Sequence, residues 1–208
     1  MYYTFCKLLF AVSRDLLTLK NTTEGTFKSD GKEKMNKKTN VKFITESALI
    51  AALYAVLTYI AAVMNLAFGG VQFRFSEALC VLPIFTPAAI PGLTMGCLIS
   101  NLAIPLGIVD WIFGPIATLL ATLVTRKMRE VKLFDIPFIS LLSPVIFNAL
   151  IIGFEIAAIT ENGFNLSAVS FAAFSYQFLS VGLGELLVLF VLGLPLIFLL
   201  RKVKIFKR

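Results

Sequence analysis

The sequence contains no histidine, and this absence excludes several kinds of active site. Catalytic triads with a histidine base and zinc sites of the HExxH type cannot form without it. The three cysteines, Cys6, Cys80 and Cys97, show no CxxC or other metal-binding spacing. No GxxxxGK[ST] segment is present, so the chain lacks the usual cradle for ATP hydrolysis. These absences exclude the three kinds of site named here. We also expect no metal site and no cofactor, and we do not expect an enzyme.

Charged residues are also scarce, at 15% of the 208 residues, whereas a soluble domain carries about 25%. Hydrophobic residues make up 58% of the chain, so we expect a membrane protein in contact with lipid. A membrane span needs about 20 residues, which leaves room for about six helices and no separate soluble domain. The net charge of +7 comes from basic residues beside the apolar segments. The positive-inside rule explains that charge without a nucleic-acid partner.

The first 40 residues form a polar leader that differs from the rest of the chain. The leader has no apolar core followed by a small-residue cleavage site, so no signal peptide is expected, and its Asn21–Lys34 part is predicted to be disordered. The codons before Met35 are compatible with a ribosome-binding sequence, so Met35 is the expected true start; the alternative is a genuine cytoplasmic tail. Residues 41–203 are the predicted membrane domain, and 204–208 form a basic tail.

Six apolar segments predict an all-α membrane protein, a bundle of six transmembrane helices. Basic clusters precede the first segment and follow the fourth and the sixth, so both chain ends are expected in the cytoplasm of a multi-pass cell-membrane protein. The loop at residues 160–176 has no lysine or arginine and is expected outside. The spans are predicted at residues 44–64, 77–85, 92–105, 112–125, 136–159 and 177–200.

Small residues form two stripes on these helices. Four alanines of the first span recur at helical spacing, which predicts a face where a partner helix can approach closely; the alternative is that alanine is simply common in membrane helices. They are Ala48, Ala51, Ala52 and Ala55. The third span carries Gly92, Gly96 and Ser100 at every fourth position.

The unusual polar residues fall in the outer half of the predicted bundle, which indicates a pocket open to the outside. Ionisable side chains within a membrane are costly and are functional hypotheses by default. Glu155 is expected near the outer end of the fifth span and Glu185 about two turns below the outer end of the sixth. The whole set comprises Gln72, Arg74, Glu77, Asp110, Asn148, Glu155 and Glu185.

Each of these residues also has a structural interpretation. Arg74 and Glu77 can form an ion pair that braces the loop to the second helix. Asp110 can cap the fourth helix at its positive end. Asn148 can serve only as an interhelical hydrogen-bond residue. The glutamates of the fifth and sixth spans have no basic residue one turn away, so their alternative is burial as neutral acids.

The four carboxylates outnumber the one arginine of this set, which favours a cationic or donor-rich ligand. A carboxylate can accept two parallel hydrogen bonds from an amidine-like edge, as it does from arginine. Aromatic residues near the same end can stack on a flat ring, although aromatics are abundant throughout the chain.

Three segments resemble the QueT family, which are substrate-binding (S) components of energy-coupling factor (ECF) transporters for queuosine precursors. They are Ala51–Thr58, Phe68–Leu79 and Gly107–Gly114, and the resemblance extends over residues 41–200. It implies a six-helix S component that binds a 7-deazapurine, such as 7-aminomethyl-7-deazaguanine or queuine, from outside. It also implies two kinds of partner, a transmembrane coupling protein and two cytoplasmic ATPases.

The resemblance implies roles for the candidate residues. An AxxxA pattern on the first helix of S components contacts the coupling protein, and both Ala48–Ala52 and Ala51–Ala55 fit it. Glu155 and Glu185 would accept from ring or exocyclic N–H groups. Asp110 or Glu77 would contact the amine of the ligand. Gln72 and Asn148 would add specificity.

Three rival functions stay open at this stage. An S component for another vitamin would retain a different small molecule on purification. A partner-independent secondary carrier would transport without a coupling module, although no internal inverted repeat is evident. An intramembrane enzyme with paired acids would change its substrate covalently.

Overall fold

The computed structural model describes residues 33–66, 73–103, 109–131, 136–160 and 163–202. Most of these residues are helical. The helices are α1 (Glu33–Val63), a 3₁₀ helix (Phe75–Ile84), α2 (Ala89–Ala103), α3 (Asp110–Lys127), α4 (Phe138–Ala158), α5 (Phe171–Val188) and α6 (Leu194–Lys202). A π-helical segment, Leu189–Gly193, joins α5 to α6, and β1 (Ile159–Thr160) pairs with β2 (Gly163–Phe164) in a short antiparallel hairpin.

Among the residues that the structure describes, three helical segments are long and apolar enough to cross a membrane. They are Asn40–Val63, Phe138–Ala158 and Phe171–Lys202, the last of which contains α5, the π segment and α6. The 3₁₀ helix and α2 are apolar but shorter. The first and last turns of α3 carry Asp110, Arg126 and Lys127. The predicted class, an all-α membrane bundle, is confirmed, and the order of the helices along the chain follows the prediction.

Polar contacts between helices show which helix ends lie on the same side of the bundle. Ser47 Oγ of α1 donates to the carbonyl of Ala88, just before α2, at 3.0 Å. Ser140 Oγ at the start of α4 donates to the carbonyl of Thr125, near the end of α3, at 3.1 Å. We call this the basic end, because Arg126 lies there. The opposite end, where α3 begins, is called the acidic end.

Close contact between α1 and α2 confirms the predicted small-residue stripe on the third span. A Cβ atom on Gly92 would lie 2.7 Å from the carbonyl oxygen of Ser47, and one on Gly96 would lie 2.8 Å from that of Ala51. Only glycine permits two backbones to approach this closely. Ala51 is therefore used in packing within the bundle.

The second predicted span is a ten-residue 3₁₀ helix in the middle of the fold. Such helices rarely exceed four residues, and this one contains Pro83, which has no N–H to donate. Its side chains pack against α1, α3 and the π segment, where a Cβ on Gly193 would touch Val81 at 3.2 Å. Arg126 caps its far end by donating from Nη1 to the carbonyl of Pro83 at 3.0 Å. The narrow cross-section of a 3₁₀ helix suits this enclosed position.

Two predicted boundaries need correction. Helix α1 begins at Glu33, so residues 33–40, which the prediction placed in the polar leader, are helical. The loop predicted at 160–176 contains the hairpin, and α5 begins within it because Ser170 Oγ accepts from the N–H of Ala173 as an N-cap. The Met35 start is untested by the structure. The predicted basic tail and Gln72 lie outside the described residues.

Candidate functional site

A cleft lies inside the bundle, in the part nearer to the acidic end. The empty space in the cleft and at its open mouth, solvent included, amounts to about 360 Å³, and side chains from five helices line it. Helix packing brings these residues together from distant parts of the chain. The lining residues are Arg74, Glu77, Cys97, Gly114, Thr118, Asn148, Ile152, Val181 and Glu185.

Glu77 stands in the first turn of the 3₁₀ helix and is 3% exposed. Three donors from three directions satisfy its carboxylate. The Tyr54 hydroxyl donates to Oε1 at 2.5 Å, the Cys80 thiol donates to Oε2 at 3.1 Å, and Asn148 Nδ2 donates to Oε2 at 3.5 Å. Glu77 therefore connects α1, the 3₁₀ helix and α4, and its lone pairs are largely occupied.

Glu185 of α5 faces the same cleft, but its carboxylate is not fully hydrogen-bonded as that of Glu77 is. It is buried, and its Oε1 has no hydrogen-bond partner among the described residues. Asn148 also approaches this carboxyl. Glu185 lies fourteen residues after Phe171, about 21 Å along the helix axis, which is much deeper than the two turns predicted. The prediction was wrong because it began the helix six residues too late.

Asp110 and Glu155 lie nearer to the acidic end. Both are buried, at 4% and 2% exposure, and Asp110 Oδ2 and Glu155 Oε2 also lack a partner among the described residues. Asp110 opens α3, and Asn101 Nδ2 of α2 donates to its main-chain carbonyl at 3.0 Å. A buried polar atom without a partner costs free energy, so the three carboxylates around this cleft make it the candidate site.

Arg74 immediately precedes the 3₁₀ helix and lines the cleft, half-buried. Its charge interacts with Asp110 and Glu77, yet no carboxylate lies within 4.0 Å of it in the described ranges, where Arg129–Glu130 is the ion pair found. The ion pair considered for Arg74 and Glu77 does not form, because Glu77 is already satisfied by neutral donors.

Five predicted ligand residues thus gather in one region. Glu77, Asn148 and Glu185 line the cleft, and Asp110 and Glu155 lie beside it.

The alanine face predicted on α1 is divided between two environments. Ala51 and Ala55 are buried in the bundle, whereas Ala48 and Ala52 are exposed. Helix α2 covers Ala51, since a Cβ on Gly96 would lie 2.8 Å from its carbonyl oxygen. The docking role of the four alanines stays a prediction, and Ala48 and Ala52 are the two that are accessible on the surface of the bundle.

Four further residues of this region were not predicted from sequence. Tyr54 is 1% exposed in the middle of a span, where a phenol needs a hydrogen-bond partner. Asn101 and Thr118 are buried polar residues within apolar segments, which is a signal that sequence can show. Cys97 lines the cleft, and its sequence context in an apolar segment gives no sign of that position.

The hairpin lies at the acidic end, after α4. The ring of Phe164 on β2 lies 6.1 Å from that of Phe113 on α3, and Phe113 packs on the buried cluster of Ala117, Ile152 and Val181. The hairpin therefore covers part of the helix ends above the cleft.

Comparisons with known proteins agree on one family. The family described as QueT transporter matches residues 44–202. The chain is similar to the Queuosine precursor transporter QueT of Lactococcus lactis subsp. cremoris (strain MG1363), with 37% identity over 83 residues. That match covers 40% of this chain and 48% of the relative, so the chain spans about half the length of the curated relative it matches. No solved structure matches.

Proposed function

The chain belongs to the QueT transporter family, and we propose that it captures a queuosine precursor at the cleft as the S component of an ECF importer. The observation that carries the proposal is the group of three buried carboxylate oxygens without partners, on Asp110, Glu155 and Glu185. A ligand rich in N–H donors would satisfy all three.

A 7-deazapurine with an amine, such as 7-aminomethyl-7-deazaguanine or queuine, has suitable chemistry. Its guanine-type edge offers a ring N–H beside an exocyclic amine, which a carboxylate such as Glu185 can accept in parallel. Its amine would meet Asp110 and Glu155 nearer to the acidic end. Glu77, which accepts from three protein donors, would support the site and not contact the amine.

The importer would need partners, since the chain has no ATP-binding P-loop. A transmembrane coupling protein would dock on the exposed face of α1, where Ala48 and Ala52 lie one turn apart and leave room for another helix. Two cytoplasmic ATPases would drive the cycle. The basic end would face the cytoplasm, so that the acidic end faces outside.

The identity of the bound molecule tests this proposal. Purified protein from cells that make or take up queuosine precursors is denatured, and the released small molecules are identified by mass spectrometry. We expect a 7-deazapurine at up to one per protein. Another vitamin at that stoichiometry would contradict the proposal. Uptake that persists in cells lacking the coupling protein would contradict the ECF part alone.

A further inference from the structure

Arg74 has no assigned role in the proposed capture of the ligand. Its side chain lines the cleft, and within the described residues its guanidinium meets no carboxylate at 4.0 Å or less. A guanidinium presents five N–H donors in a planar fork and accepts nothing. An arginine in this condition, facing a cleft, is available to an acceptor atom of a ligand.

Glu185 faces the same cleft with the opposite chemistry. Its Oε1 is a buried acceptor that lacks a partner in the described part of the chain. The two groups are nevertheless too far apart for an ion pair. A donor fork and a carboxylate that line one cleft are chemically complementary to a ligand edge that presents an acceptor beside a donor.

Neighbouring side chains do not compete for this role. Glu77 already accepts hydrogen bonds from Tyr54, Cys80 and Asn148. Asn148 donates to Glu77 and also approaches Glu185, so its N–H groups are in use. Asp110 and Glu155 lie beside the cleft and not among its lining residues.

We infer that Arg74 and Glu185 determine which base is bound, by reading the lactam edge of a guanine-type ring. Arg74 donates to the ring carbonyl oxygen, and Glu185 accepts from the adjacent ring N–H and the exocyclic amine. This inference rests on the proposed function and adds the discrimination among bases. An adenine-type base places an amine where Arg74 needs an acceptor, and a hypoxanthine-type base lacks the amine that Glu185 reads.

The test measures the affinity of purified protein for 7-deazaguanine, 7-deazaadenine and 7-deazahypoxanthine by calorimetry. We expect wild type to prefer 7-deazaguanine over 7-deazaadenine by roughly 100-fold, because mismatched donors leave buried groups unpaired. Arg74→Met should lower the affinity for both lactam bases by about 10- to 100-fold and leave the weak binding of 7-deazaadenine unchanged. Glu185→Gln should remove the preference for 7-deazaguanine over 7-deazahypoxanthine.

Two further variants separate this role from a structural one. Arg129→Met removes an arginine that pairs with exposed Glu130, and it should change no affinity. Arg74→Lys keeps a donor and should restore part of the preference for lactam bases. An Arg74→Met protein that binds all three bases more weakly by one common factor, or that keeps the wild-type preference, would overturn the inference.

The inference and the proposed function can fail separately. If wild type binds no 7-deazapurine, the proposed function fails, and guanine and adenine replace the deaza bases in the same assay. A preference for guanine that Arg74→Met abolishes then supports the inference. Absence of any selective binding of a base overturns both.

Discussion

The Tyr54 hydroxyl donates a 2.5 Å hydrogen bond to Oε1 of Glu77, across the interior of the bundle. Both side chains are almost inaccessible to solvent, and the bond joins α1 to the 3₁₀ helix. Cys80 and Asn148 donate to the other oxygen of Glu77, so Tyr54 completes the set of donors around this carboxylate. Without these donors, a carboxylate in the membrane interior would be costly in free energy.

Tyr54→Phe should therefore destabilise the protein. The substitution leaves a buried carboxylate oxygen without its donor, and we expect a loss of about 1–3 kcal/mol in the free energy of unfolding. Tyr176→Phe is the matched control, since Tyr176 is 65% exposed. Denaturant unfolding in detergent compares the two variants. Equal stability of both would show that the bond contributes nothing.

Gly96→Ala should loosen the contact of α1 with α2. The added Cβ would lie 2.8 Å from the Ala51 carbonyl oxygen, and backbone at that distance cannot move aside without shifting a helix. We expect a cost of about 1–3 kcal/mol, read as a lower melting temperature. Gly182→Ala introduces the same methyl group at an ordinary 3.4 Å contact with Ala149 and should be tolerated. A melting temperature that falls equally in both variants would contradict the account.

Much of the fold could be predicted from sequence, because apolar length and flanking charge are local signals. They give the order of the helices and the acidic residues of the cleft. The 3₁₀ form of Phe75–Ile84 could not be predicted, since it depends on the helices that enclose it. The partners of Glu77 were likewise hidden, because Asn148 lies 71 positions away and only packing makes them neighbours. The α5 start was missed because its signal is a single cap, Ser170.

Bulky residues at Ala48 and Ala52 should block transport without blocking capture. Both alanines are exposed on α1, so tryptophan there fits the monomer but would fill the proposed contact with the coupling protein. We expect Ala48→Trp with Ala52→Trp to abolish uptake in cells with the full importer, while the purified protein binds its ligand with unchanged affinity. Ile116→Trp, on the exposed face of α3, should retain uptake. Normal uptake by the alanine variant would exclude this face as the docking site.

Single cysteines introduced at the two ends of the bundle should be accessible to a membrane-impermeant maleimide from opposite sides of the membrane. Cys80 and Cys97 are buried, so a Cys6→Ser protein provides the background. A cysteine in place of exposed Ser167, beside the hairpin, should be labelled in intact cells, whereas one in place of Arg129 should be labelled only after lysis. The reverse pattern would invert the proposed orientation.

The central claim is that the buried acids of the cleft hold a donor-rich ligand, and its most direct test is the affinity of the Glu155→Gln, Glu185→Gln double variant for 7-aminomethyl-7-deazaguanine. Each glutamine replaces a carboxylate oxygen by a donor that repels the N–H groups of the ligand. We expect calorimetry to show an affinity at least about 100-fold weaker than wild type. Glu130→Gln, on an exposed side chain, is the control and should bind as wild type does. An unchanged affinity in a folded double variant would contradict the account.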